Sequence, residues 1–332
     1  MGGATRICKI LRVKSVLSSV ARRLRFIPEG GALVEVTCRT VQGRFLLKPT
    51  DELTSIVIGV LARAQRLYPV ELHAFVFLSN HYHLLLSVDT AQRLAQFMNY
   101  LNSNLAREAG RLNGWKEKFW GRRYQAIVVS EEEVAQVDRL RYLLSHGCKE
   151  GFVARPQHWP GANCVRALVE EEPLQGLWFD RTREYAARAR RENFDRFEYA
   201  TPETIRLEPL PCWIHHSKAR YKSRVGDLIT EIETETASRH AREGTRPLGV
   251  AAILAQNAHD KPSRSKKAWA PAFHAATKAV RKELVEAYRW FLGAYLEAAE
   301  KLRKGDFSAS FPEGSFPPRL PFVGWVPDSA PG

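Results

Sequence analysis

Short apolar runs separated by turn signals dominate the first half of the chain. Leu33, Val34, Val36 and Thr37, preceded by Pro28-Glu29-Gly30-Gly31, predict a strand over residues 32–40. A helix is expected from Asp51, its cap, to about Leu67, with Leu53, Ile56, Ile58, Val60 and Leu61 as its apolar content. His73 to Leu78 predicts a second strand, Ser79-Asn80 a turn, and Tyr82 to Val88 a third strand. Asp89 or Thr90 caps the next helix, where Leu94, Phe97, Met98, Leu101 and Leu105 recur at helical spacing. A strand from Tyr124 to Val129 follows, then a capping box of Ser130 and Glu133 on a helix from Glu131 to Ser145. The order β-α-β-β-α-β-α is the split βαβ pattern of a ferredoxin-like α+β fold, an antiparallel sheet with helices on one face.

The pattern changes beyond residue 165. Residues 179–200 are charged and helix-prone, Pro209 to Pro211 breaks the run, and Val225 to Arg242 predicts a helix. A longer helix, Ala272 to Arg303, carries Val280, Leu284, Tyr288, Phe291, Leu292 and Leu296 on one stripe, as a core face or an oligomer seam requires. Four regions are therefore expected: a basic extension (1–25), an α+β domain (26–165), a mostly helical accessory region (166–305) and an extended Pro/Gly-rich tail (306–332).

Charge narrows the choice of partner. Of the formal +14, residues 1–165 hold 23 Lys and Arg against 13 Asp and Glu, net +10, while residues 166–332 hold 27 against 23, net +4. A basic first half points to a polyanion, because neutralised phosphates release condensed counterions. Lys261 to Lys267 adds a basic connector, which is either solvated or in touch with nucleic acid. The five cysteines are odd in number and form no Cys-x-x-Cys pair, which disfavours a disulfide framework and suits a reducing compartment. No run approaches the roughly eighteen apolar residues that span a bilayer, so the expected location is the cytoplasm.

Candidate chemistry sits in three stretches. In Asn80-His81-Tyr82-His83-Leu84-Leu85-Leu86, strand alternation puts His81 and His83 on one face about 7 Å apart, and Tyr82 on the other. Two neighbouring imidazoles can share a divalent cation, or can be ordinary bonded strand histidines. Tyr142 and His146 stand four residues apart on one helical face, with Asp138 a turn earlier. Against the open side of the sheet they would make a three-histidine site beside a phenol. Singly, each is equally a core tyrosine and a helix-terminal histidine before Gly147. In Gly114 to Tyr124, Lys118, Trp120, Arg122 and Arg123 interleave rings with cations, as a single-strand stacking platform does, or as core aromatics beside a solvated edge do. His215, His216 and His274 have no motif around them.

The first stretch, then Phe119-Trp120-Gly121-Arg122-Arg123-Tyr124, then Leu140 to Val153 resembles the REP-associated tyrosine transposases, single-tyrosine members of the HUH endonuclease superfamily, over roughly residues 26–160. The resemblance implies a metal-dependent single-stranded DNA endonuclease and strand transferase acting at or near hairpins through a covalent 5′-phosphotyrosine. It implies His81 and His83 as paired metal ligands and Tyr142 as nucleophile, over the rivals Tyr82 and Tyr124. His146 stands where the family places a polar amide ligand, and His146-Gly147 replaces its Asn-Pro pair. That departure admits a second reading, a catalytically impaired, domesticated hairpin-binding protein. Arg122, Arg123 and Lys149 are candidate phosphate clamps. The resemblance implies Mg²⁺ or Mn²⁺, and a three-imidazole set shifts the expectation toward Mn²⁺. A homodimer is a further expectation.

Overall fold

The computed structural model describes residues 24–190, 195–263 and 271–318. Most of the basic extension, the connector beyond Ser263 and the tail beyond residue 318 lie outside the described residues. Contacts group the chain into two units, Ile27–Leu284 and the two chain ends. In the first unit, β1 (Ala32–Arg39), α1 (Asp51–Leu67), β2 (Glu71–Leu78), β3 (His81–Val88), α2 (Ala91–Leu112), β4 (Gln125–Val129) and α3 (Glu133–Leu144) follow the expected order. Then come α4 (His146–Lys149), α5 (Val165–Glu170), β5 (Gln175–Phe179), α6 (Arg181–Arg188), β6 (Ala200–Thr204), α7 (Lys218–Glu243), α8 (Val250–Leu254), β7 (Phe273–His274) and the start of α9 (Lys278–Arg303). In the other unit, Phe26 lies against Tyr288 and Phe291 of α9 at ring-centroid distances of 5.6 and 5.3 Å.

The main sheet has the order β2-β3-β1-β4-β7. Four strands pair antiparallel, as the ferredoxin-like pattern predicts, while β7 adds to β4 in parallel and makes the sheet mixed. A two-residue strand carries too little periodicity to be read from sequence. Alternation sorts the faces: Val34, Val36 and Cys38 lie opposite Leu86, Leu84 and Tyr82. Those side chains are buried together with the apolar residues of α1 and α2. Full burial of such a side chain stabilises by roughly 1.5–3 kcal/mol. The other face presents Glu35, Thr37, His81 and His83, and α3 packs across it onto β2 and β3.

Three local expectations are corrected. Thr50, not Asp51, caps α1, its hydroxyl accepting from the Leu53 N–H at 3.1 Å, and Asp51 and Glu52 complement the dipole from the first turn. The box of Ser130 and Glu133 does not form. Ser130 donates instead to Glu132 at 2.8 Å, and that carboxylate also accepts the Ala276 N–H at 2.8 Å, so it is engaged by the strap after β7. Among the described residues of 179–200, α-helix covers Arg181–Arg188 and a 3-10 turn covers Arg196–Tyr199, while the flanking β5 and β6 pair with each other and β5 lies on α1.

That contact needs glycine on both sides. A Cβ on Gly176 would come 2.1 Å from the Ser55 carbonyl oxygen, and one on Gly59 would come 2.3 Å from the Leu177 carbonyl. The outer edge of β2 is covered as well: the Phe77 N–H donates to Ala162 O at 2.9 Å, the Cys164 N–H to Phe75 O at 3.2 Å, and the Glu208 N–H to Leu72 O at 2.9 Å. Urea unfolding checks the close approach. Gly59→Ala is expected to cost about 1–3 kcal/mol by overpacking. Gly226→Ala, inside α7 where an added methyl meets nothing within 4 Å, is expected to add about 0.5–1 kcal/mol.

Candidate active site

His81 and His83 share the open face of β3, their ring centroids 5.3 Å apart. α3 brings the rest. Tyr142 occupies its last turn, and the backbone stays helical through Ser145, so that α4 begins with His146. Gly147 does not terminate the helix as expected. It lies inside α4 because a side chain there would meet Val153 at 3.2 Å and Trp159 at 3.7 Å. The Arg239 guanidinium caps the short helix by donating to the Cys148 carbonyl at 2.6 Å.

The three imidazoles converge. His81 Nε2 and His146 Nε2 are 2.7 Å apart, and one ring nitrogen from each of His81, His83 and His146 lies within 4.8 Å of the others. Nitrogen ligands about 2.1 Å from a common cation stand roughly 3 Å apart, so this donor set fits one metal ion. Tyr142 lies alongside, its ring centroid 5.5 Å from His83 and 5.1 Å from His146.

Two residues outside that set fix the rings. Asn80 donates its amide N–H to the Gly43 carbonyl at 3.0 Å, which leaves Oδ1 to accept from His81 Nδ1 at 2.6 Å. Glu35 on β1 accepts from His83 Nδ1 at 2.8 Å and from the Arg139 guanidinium at 3.1 Å. Each bond places the proton on Nδ1 and turns the Nε2 lone pair toward the shared point. Asn80 was legible as part of its motif, though only as a turn residue. The signal for Glu35 is a charge in the apolar run Leu33-Val34-Glu35-Val36.

Electrostatics follow from burial. Burial alone would raise the Glu35 carboxyl, but hydrogen bonds and charge from His83 and Arg139 together hold it below its ordinary value. Burial, then the neighbouring His83 and Arg39, pushes His81 well below the usual imidazole range. Burial and the Glu35 charge raise the Tyr142 phenol, opposed by Arg139. The Arg139 guanidinium lies 4.8 Å from the Tyr142 ring centroid and the Lys149 ammonium 4.4 Å from it. Asp138 reaches away from the histidines, pairing with Arg139 and with His274 of β7, both at 3.0 Å.

The remaining candidates divide. Tyr82 points to the helix side, buried, its hydroxyl donating to Asn102 at 2.6 Å. Trp120 lies on that side too, its indole N–H donating to the Asn102 carbonyl at 2.9 Å and its ring 5.6 Å from Tyr82, so it is not gathered with the histidines. Lys118, Arg122 and Arg123 are exposed. Their loop runs beside the end of β1, where the Gly121 N–H donates to the carbonyl of Arg39, the residue paired with His81. Tyr124 is buried at the start of β4.

No curated protein matches the sequence. The chain is similar over 47% of its length, and over 90% of the other chain, to the structure of a REP-associated tyrosine transposase bound to a REP hairpin, at 16% identity and a TM-score of 0.37. It is similar over 36% of its length, and over 94% of the other chain, to a candidate transposase from Deinococcus radiodurans R1, at 20% identity and a TM-score of 0.27. The family model described as "Transposase IS200 like" matches residues 45–143, which include His81, His83 and Tyr142. Over residues 45–143 the chain is thus similar to the IS200-like transposases, in agreement with the resemblance to the REP-associated tyrosine transposases drawn from the sequence.

Proposed function

We propose that the chain cleaves and rejoins single-stranded DNA at or near hairpins, with Tyr142 as nucleophile and a divalent cation held by His81, His83 and His146. The observation that carries this reading is the meeting, within one chain, of a phenol and three imidazoles whose nitrogens converge. When bound, the cation supplies Lewis-acid stabilisation of charge on the scissile phosphate. An all-imidazole set is softer than an oxygen set and favours Mn²⁺ over Mg²⁺.

The protein's own groups do the rest. Asn80 and Glu35 hold the rings of His81 and His83 in one tautomer, so no reorganisation is needed when a ligand arrives. A phenol is protonated at neutral pH and burial raises this one further, so its proton leaves as the oxygen attacks phosphorus. Lys149 and Arg139, on the ring, oppose the negative charge that then develops. One bond forms, from the phenol oxygen to phosphorus, and one breaks, from phosphorus to the 3′ oxygen, which takes up a proton. The count of phosphate ester bonds is conserved, so a second 3′ hydroxyl can reverse the step without ATP. All four side chains belong to one chain, so attack needs no partner subunit. Arg122, Arg123 and Lys118, with their exposed charge, are the proposed contacts to the flanking strand.

Incubation of the metal-loaded protein with hairpin DNA is expected to give a species that survives denaturing electrophoresis. Tyr142→Phe should abolish it while the melting curve stays unchanged. A shifted band from the mutant would remove Tyr142 from this role, and none from the wild type would favour a binding protein without cleavage. Stripping metal should also abolish the adduct, and Mn²⁺ should restore it at least as well as Mg²⁺. Glu35→Gln, measured by calorimetric Mn²⁺ titration, is expected to weaken metal binding about 10–100-fold. Wild-type affinity in that variant would deny Glu35 its part.

A further inference from the structure

A cleft of about 620 Å³ opens between the α3–α4 segment and the C-terminal half of α7. Its volume lies in the roughly 300–1,000 Å³ range of ligand sites. Tyr142 lines it, and the same ring touches the histidine group, so the cleft begins where the proposed chemistry takes place. Arginines and one lysine dominate the walls, but most of that charge is engaged. Arg139 is held by Glu35 and Asp138, Arg141 by Glu231 and Glu235, and Arg239 by the carbonyls of Cys148 and Lys149.

Two cations remain available. Lys149 stands 4.4 Å above the Tyr142 ring with no carboxylate at ion-pair distance among the described residues. Arg242, in the last turn of α7, has a side chain 76% exposed and, among the described residues, pairs at ion-pair distance with its neighbour Glu243, at 3.9 Å. Beside them the cleft is lined by the hydroxyl of Ser238, while that of Ser145 donates to the Tyr142 carbonyl at 3.0 Å. A phosphate needs this combination, mobile cations flanked by neutral donors.

We propose that this cleft receives the phosphodiester backbone of the single strand on one side of the bond attacked by Tyr142, with Lys149 and Arg242 on separate phosphates. The proposal rests on the strand-cleavage reading and adds to it α7, which lies outside the family match at 45–143. α7 then both caps the helix that carries His146, through Arg239, and supplies part of the DNA surface, through Arg242.

Anisotropy titration of a labelled oligothymidylate of about 20 nucleotides, without metal, tests it. Arg242→Glu is expected to weaken binding about fivefold or more and to lower the salt slope by about 0.7, one single-strand phosphate contact. Arg220→Glu makes the same charge change roughly 33 Å away along α7 and is expected to weaken binding less than twofold. Wild-type affinity in Arg242→Glu, or equal losses in the two variants, would overturn the groove. The adduct assay separates the two ideas. An adduct with wild-type binding by Arg242→Glu would remove the groove and leave the nucleophile, whereas lost binding with no wild-type adduct would do the reverse.

Discussion

A single carboxylate ties together the parts on which the site depends. Glu35 is 1% exposed in the middle of the sheet, where an unpaired charge would cost several kcal/mol. It is compensated from two directions, by the His83 ring on the neighbouring strand and by the Arg139 guanidinium on α3. Arg139 precedes Tyr142 by three residues on the same helix, so the ion pair that makes Glu35 tolerable also sets where the phenol stands over β3. Removing Arg139 would leave the buried carboxylate with an imidazole as its one partner among these two. The distance between nucleophile and ligands is thus held by electrostatics across the sheet as much as by apolar packing.

The two strand histidines are oriented by different chemistry to the same end. Asn80, itself fixed by the Gly43 carbonyl, holds His81 through a neutral acceptor, while Glu35 holds His83 through a charged one. Both bonds leave the outward ring nitrogen as an acceptor, so the two rings face a shared ligand in the same way. Burial, then the neighbouring His83 and Arg39, lowers the proton affinity of His81.

Much of this was legible because it is local. The alternation that aligns His81 with His83, and the four-residue step from Tyr142 to His146, are periodicities of one strand and one helix. What escaped depends on partners far along the chain. Glu35 meets Arg139 across 104 residues, and no local pattern says which face of which helix will supply its cation. β5 lies at contact distance on α1 where Gly59 and Gly176 carry no side chain, a fit between positions over 110 residues apart that no local pattern shows. Glu132 leaves its expected helix start for backbone donors at Ala276 and Thr277, over 140 positions later. Trp120, readable from sequence as stacking surface or as packing, is half-buried and donates to the Asn102 carbonyl of α2, a partner no local pattern names.

The flanking strands of the sheet have a consequence for how the molecule meets other chains. On one side β2 spends its outward amides and carbonyls on the segments around Ala162 and Glu208, and on the other the edge is the two-residue β7, beside which the Ala272 carbonyl accepts from the Val128 amide of β4. A neighbouring polypeptide seeking to extend the sheet by main-chain pairing finds those rungs already taken. Association with other macromolecules is thereby steered away from backbone zippering and toward side chains, on the face where the imidazoles and the phenol gather.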